Sequence, residues 1–313
     1  MREPITTIPA GLLLVCAWLN PAAASPRNDT PQAAAPAAPI RIVAAENMWG
    51  ALAERLGGEH VRVRSILSNP DQDPHLFEVS PGVARAVAGA DIVIRNGIGY
   101  DPWMKGLLAA RGKPPAEELC VADLAGRHDG DNPHLWYDPA VMPMVARALS
   151  ARLAKEDPAD SDFYAERLQQ VLAAIAPVSE RVAAMRARFA GTPVTATEPV
   201  FGLMAEAIGL DMRNRRFQLA VMNDTEPAAS DVAAMETDLR QHRVRLLIFN
   251  SQASDSAADR LKRIALQSGV PVVGVSETEP AGESYESWML RQLDAVASAL
   301  QSGQSGRAEP AGR

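Results

Sequence analysis

Two of the five histidines in this 313-residue chain occupy nearly the same short phrase, His75 in "DPHLFEVSP" and His134 in "NPHLWYDP". Each imidazole follows a proline, Pro74 or Pro133, which fixes the backbone just ahead of it. Each precedes a leucine and a large aromatic, Leu76 with Phe77 and Leu135 with Trp136, able to anchor the loop in a core. Two carboxylates sit in comparable places: Glu198 directly follows the apolar run "TPVTAT", and Glu277 follows "PVVGVS". Two imidazoles and two carboxylates form a coordination set for a divalent transition metal. Imidazole suits zinc, iron or manganese, and carboxylates add charge and bind through one oxygen or two. Taken singly, each residue has a plainer reading. A loop histidine is usually a hydrogen-bonded surface group. Glu198 could serve the dipole of the helix opened by Pro199, and Glu277 shares its acidic loop with Glu279. The repeated Pro-His-Leu-aromatic phrase favours ligation. His60 and His242 fall at element edges and read as structural or exposed. His128 in "GRHDGD" reads as a surface-loop residue, with an accessory metal contact as its alternative.

These groups need elements that bring them together. Strand patterns at "RIVAA" (41–45), "VRVRSIL" (61–67), "DIVIRN" (91–96) and "ELCVADL" (118–124) are interleaved with helical ones. "NMWGALAERLGG" puts Met48, Leu52 and Leu56 on one face, with Asn47 placed to cap the helix and Gly57-Gly58 to stop it. Ser80 and Pro81 open another helix. Later, "TPVTAT" (192–197), "VRLLIFN" (244–250) and "PVVGV" (271–275) resume the strand rhythm. Helices are expected after Pro199, after Ser230 as a cap, over "SAADRLKRIALQSG" and over "SYESWMLRQLDAVASAL". Such βα alternation implies parallel sheets with helices on both faces. Between the halves, Tyr164, Leu168, Val171, Ile175, Val178, Val182, Met185 and Phe189 follow a helical period. They form one apolar seam about 38 Å long, with Pro177 off the seam and expected to kink the helix.

The chain therefore reads as an α/β protein of two lobes, each a mainly parallel sheet flanked by helices, joined by one long linking helix. The N-terminal lobe is placed at 40–157, the linking helix at 158–190 and the C-terminal lobe at 191–300. Ligands of such sheets bind beyond the carboxyl ends of the strands. His75, Glu198 and Glu277 fall there, and His134 lies in the loop before the helix starting near Asp138-Pro139. The four are expected to converge on the crevice between the lobes.

Arg2, the apolar run "IPAGLLLVCAWL" and "NPAAAS" read as an export signal over 1–24, with an A-x-A-like cleavage site ending near Ala24. The run is too short to span a bilayer. Val15 stands before Cys16, where a lipoprotein signal has a small residue, which weighs against a lipid anchor at Cys16. Cleavage leaves Cys120 as the sole cysteine, with no internal disulfide and no thiolate metal cluster. Residues 25–39 read as a flexible Pro/Ala-rich linker and 301–313 as a disordered tail. The formal net charge of −7 gives no basic footprint for nucleic acid or an anionic membrane. No H-E-x-x-H, G-x-S-x-G or P-loop pattern occurs, and nothing pairs a nucleophile with a base. An enzyme is not expected, and the mature chain is expected in the periplasm.

The phrases "DPHLFEVSP", "NPHLWYDP", "VTATEPVFGLMAEAIGL", "NDTEPAASDV", "LLIFNSQAS" and "GESYESWM", in this order, carry a resemblance. From about Ile40 to Leu300 the chain resembles the periplasmic metal-binding proteins of bacterial ABC importers, the zinc/manganese group called cluster A-I. The resemblance implies two α/β lobes on a rigid linking helix with a metal site between them. It implies a monomer that captures one Zn2+ or Mn2+ (Fe2+ being a further option) as cargo for an inner-membrane ABC permease. It maps the first two histidine ligands onto His75 and His134, and the third, His or Glu, onto Glu198. The fourth, usually Asp, maps onto Glu277, with Glu279 as the fallback. The long His/Asp-rich loop of many zinc-specific members is reduced here to "AGRHDGDN". Glu in the third position leans towards manganese or iron, whereas the affinity order places zinc above manganese. The metal stays open between them. Ligating histidines must be neutral, so affinity is expected to fall as pH drops through roughly 6.5. The rivals are a metal-dependent hydrolase, which needs an open coordination position and a general base, and a surface adhesin, as some relatives are described.

Overall fold

The computed structural model describes residues 38–69, 77–112, 116–223, 225–253 and 256–305. The export signal, most of the linker, the end of the tail and His75 lie outside the described residues. The first lobe comprises β1 (Ile40–Glu46), α1 (Asn47–Gly57), β2 (Val61–Leu67), α2 (Pro81–Gly89), β3 (Ile92–Arg95), α3 (Pro102–Ala110), β4 (Glu117–Cys120), α4 (Val121–Leu124) and α5 (Val141–Glu156). Helix α6 (Ser161–Phe189) leads to the second lobe: β5 (Pro193–Ala196), α7 (Gly202–Ile208), β6 (Asp211–Arg213), α8 (Arg215–Met222), α9 (Ala229–Arg240), β7 (Leu247–Asn250), α10 (Ser256–Gln267), β8 (Val272–Val275) and α11 (Tyr285–Ser305).

The two sheets share one plan. The first runs β2-β1-β3-β4 and the second β6-β5-β7-β8, all pairs parallel. In each, the chain builds outward to one side and then crosses to the other. A switch point therefore lies between β1 and β3, and another between β5 and β7, where loops diverge and leave a crevice. Helices cover both faces, which is why Ile42, Val43, Ala44 and Ala45 are all buried in succession along β1.

Helix α6 lays Tyr164, Val171, Ile175, Val178, Val182, Met185 and Phe189 into the core. It runs unbroken through Pro177, which sits on the solvent face, where water can take the carbonyl left without a donor. One buried cluster extends from Ile42 and Trp49, through the α6 seam, to Val194, Ile248 and Trp288. The lobes are therefore fused through the helix by continuous packing, which disfavours wide hinge opening.

Several local expectations are corrected. Strand β4 stops at Cys120 because its partner β3 ends at Arg95, and Val121–Leu124 turns into α4 as the Ala122 N–H bonds to Asn96 O at 2.9 Å. Strand β6 went unread: three residues at a sheet edge carry no periodicity. Asn47 makes no cap bond for α1, nor does Ser230 cap α9, which begins at Ala229. Ser80 does cap α2, accepting from Val83 N at 3.3 Å. Helix α11 continues to Ser305, past the Leu300 where its apolar seam ends.

Asn47 is used elsewhere. Its Nδ2 donates to Glu279 O at 2.7 Å and its Oδ1 accepts from Glu279 N at 3.0 Å, a two-bond clasp between the lobes. Arg55 adds a 2.7 Å ion pair to Glu286, and the Tyr285 hydroxyl donates to Trp136 O at 2.9 Å.

Candidate metal centre

His134 is set by its own tripeptide. Asn132 stands two residues ahead, and its Oδ1 lies 3.0 Å from the His134 backbone N and 2.7 Å from Nδ1. Its amide orientation is fixed from the other end, because Nδ2 donates to Pro199 O at 2.7 Å across the lobe boundary. Oδ1 must therefore accept and Nδ1 carry a proton, so that an unprotonated Nε2 presents its lone pair outward. Trp136 and Leu135, both wholly buried, pin the following turn as the sequence suggests. Nε2 is buried with no hydrogen-bond partner among the described residues and lies 3.5 Å from Glu277 Oε2. A buried imidazole nitrogen held as an acceptor with nothing donating to it is what a cation would complete.

Glu198 follows β5 and Glu277 follows β8, each beyond the carboxyl end of its strand. The Glu198 side chain makes no cap bond to the helix behind it; its Oε2 accepts from Asn250 Nδ2 at 2.8 Å. The same Nδ2 lies 2.5 Å from Glu277 Oε1. Asn250, at the end of β7, thus stands between the two carboxylates. Glu277 Oε2 accepts from the Tyr100 hydroxyl at 2.8 Å, so a first-lobe residue reaches the second-lobe acid. Burial, and then the charge of Glu277, push the Tyr100 phenol well above its ordinary value, and it remains a donor. Gln252 Oε1 accepts from the backbone N–H groups of Glu277 and Thr278 at 2.5 and 3.0 Å, fixing the loop that presents the acid.

His134, Glu198 and Glu277 thereby offer donor atoms all within 4.8 Å of one another. His134 and Glu277 are 0% exposed and Glu198 4%. Two carboxylates and a neutral imidazole suit a divalent cation in charge and donor type.

His75 lies outside the described residues. The chain leaves β2 at Leu67 and returns at Phe77, whose ring packs on Trp103 at 4.7 Å between centroids. Glu279 turns away into a cavity of about 200 Å³ lined by Met48, Arg55, Val171 and Tyr285 among others. Burial, and then Glu286, push its carboxyl up to about 8. His128 and His242 are exposed, and His60 lies against Asp157 and Asp160. Sequence reasoning missed Tyr100, Asn132 and Asn250. Only Asn132 left a signal, since Asn two residues before a backbone N–H bonds to it locally.

The family described as zinc-uptake complex component A, periplasmic (ZnuA), matches residues 42–299 of this chain. The chain belongs to the ZnuA family. It is 22% identical over 251 residues to the high-affinity zinc uptake system protein ZnuA of Bacillus subtilis (strain 168), covering 73% of this chain and 77% of that one. It is 21% identical over 280 residues to the manganese-binding lipoprotein MntA of the same organism, covering 83% and 90%. Among solved structures, the periplasmic zinc binding protein TroA from Treponema pallidum superposes with a TM-score of 0.71 at 17% identity. That superposition covers 84% of this chain and 99% of TroA, and establishes the two-lobed fold. ZnuA-family proteins are components of metal uptake systems, not enzymes. No helix among the described residues of this ZnuA-family chain is long and apolar enough to cross a membrane.

Proposed function

We propose that this chain captures one Zn2+ or Mn2+ between its lobes, as cargo, and delivers it to an ABC permease. The proposed ligands are His134 through Nε2, Glu198, Glu277 and His75. We further propose that residues 1–24 direct export and that the mature chain works in the periplasm. The observation that carries the reading is the buried meeting of His134, Glu198 and Glu277 from both lobes, with Nε2 of His134 lacking a hydrogen-bond partner among the described residues. Two buried carboxylates this close repel each other, and a bound cation relieves that repulsion. By affinity order zinc binds more tightly than manganese, so selection between them falls to geometry and supply.

The test is metal content of purified residues 25–313 beside a chain carrying His134→Ala and Glu277→Ala. The double variant should lose one ion per chain. Equal metal content in the two folded proteins would remove the interlobe site.

A further inference from the structure

A second set of donors meets away from the cleft. His60 ends the turn Gly58–His60 before β2, and Asp157 precedes and Asp160 ends the turn Pro158–Asp160 that leads into α6. Strand β2, seven residues and about 23 Å long, carries the chain from His60 to Leu67. His60 Nδ1 lies 3.5 Å from Asp157 Oδ2 and 3.3 Å from Asp160 Oδ2. Both are also ion-pair separations. A tetrahedral zinc with donors at roughly 2.1 Å spaces them about 3.4 Å apart. One donor atom from each of the three residues lies within 4.8 Å of the others.

The donors are also held in place. The imidazole packs on the rings of Phe163 and Tyr164, with centroids 4.7 and 5.8 Å away. The Tyr164 hydroxyl donates to Asp157 Oδ2 at 2.9 Å. An outer hydrogen bond of this kind orients a ligating carboxylate. Burial, and then Asp157, raise the Tyr164 phenol, which keeps its proton to donate. The imidazole distinguishes the cluster from a pair of surface acids: a nitrogen donor selects zinc-class cations over magnesium or calcium.

We propose that His60, Asp157 and Asp160 bind a second divalent transition ion of the zinc class, with water completing the shell. The ion would staple the start of the linking helix to the edge of the first lobe. Nothing in this proposal depends on the interlobe site.

The experiment counts Zn2+ bound per chain at micromolar Zn2+ for residues 25–313, for Asp160→Asn and for His60→Gln. Asp160 is half-exposed, so its amide variant should fold. Each variant should hold one ion fewer than the parent chain, and the thermal shift on adding Zn2+ should shrink with it. If neither variant changes the count, the cluster is only an imidazole–aspartate ion pair and the proposal fails. Loss of the interlobe ion in the His134→Ala, Glu277→Ala chain is a separate result, since that chain keeps His60, Asp157 and Asp160.

Discussion

Tyr100 and Glu277 belong to different lobes, and the hydroxyl of the first donates to Oε2 of the second at 2.8 Å inside a buried site. That bond holds the acid in one rotamer and leaves Tyr100 in edge-on contact with His134, ring centroids 5.9 Å apart. Removing such an outer partner typically costs about 10- to 100-fold in metal affinity. Tyr100→Phe keeps the ring and its packing. Titration with Zn2+ should show weaker binding in that range with an unchanged metal-free melting temperature. Unchanged affinity would mean that the Tyr100 hydroxyl does not position Glu277.

Asn250 Nδ2 serves both acids, bonding to Glu198 Oε2 and Glu277 Oε1. In the metal-free protein it is the donor standing between two buried carboxylates. Hydrogen bonds to charged groups contribute about 1.5–3 kcal/mol. Asn250→Ala should lower metal-free stability by that order in a urea melt, and saturating Zn2+ should recover most of the loss. A deficit of equal size with and without metal would show that Asn250 matters only for packing.

Much of this architecture is legible in the sequence because parallel α/β units are made by local patterns. Apolar runs, Gly57-Gly58 and the Ser80-Pro81 start give the strands and helices, and the rule about strand ends then places Glu198 and Glu277. What escaped depends on partners far away in the chain. Nothing near Tyr100 announces that it bonds to a residue 177 positions later, and Asn47 looks like a helix cap although its partner is Glu279. "ELCVADL" has strand composition throughout, yet its ladder ends where β3 does. Glu277 and Glu279 both follow β8; the structure brings Glu277 beside His134 and Glu198, while Asn47 clasps the backbone of Glu279.

The lobe clasp can be tested by itself. Asn47→Ala deletes two bonds to the Glu279 backbone, each contributing about 0.5–1.5 kcal/mol net, with more lost if the partners stay buried and unpaired. Thermal stability should fall by that order. Hydrogen exchange should quicken around 276–285 and leave β5 and β7 unchanged. Uniform acceleration across the second lobe would mean that the clasp is part of the global fold and not a local tie.

Glu198 sets the oxygen content of the proposed site. Glu198→His exchanges one carboxylate for an imidazole, a donor better matched to zinc than to manganese. Asn250 keeps its bond to Glu277, so the loop geometry should survive. Competition binding should show the Zn2+ over Mn2+ preference rising. A preference that does not move would place selection elsewhere than in the donor set.

Glu46 closes β1 fully buried, with neither carboxyl oxygen bonded by a donor among the described residues. Its neighbour Asp101 accepts from the N–H groups of Asn96 and Gly97 at 2.7 and 2.9 Å. Burial, followed by the charge of Asp101, pushes Glu46 well above its usual 4.5. Burial raises Asp101 as well, while its two backbone bonds pull the other way. Burial thus holds both carboxyls above their ordinary range. In the unfolded chain Glu46 gives up its proton near the ordinary carboxylate value, whereas in the folded chain it does so at higher pH. Between those two values the folded state binds more protons, so stability falls as pH rises through that window. Glu46→Gln keeps an N–H to offer Asp101 and cannot ionise. Melts of the metal-free proteins from roughly pH 5 to 9 should show the parent losing stability relative to the variant as pH climbs. The variant should be the more stable at the alkaline end. Curves that run parallel across the range would show that Glu46 is ionised in the fold and compensated by a group other than Asp101.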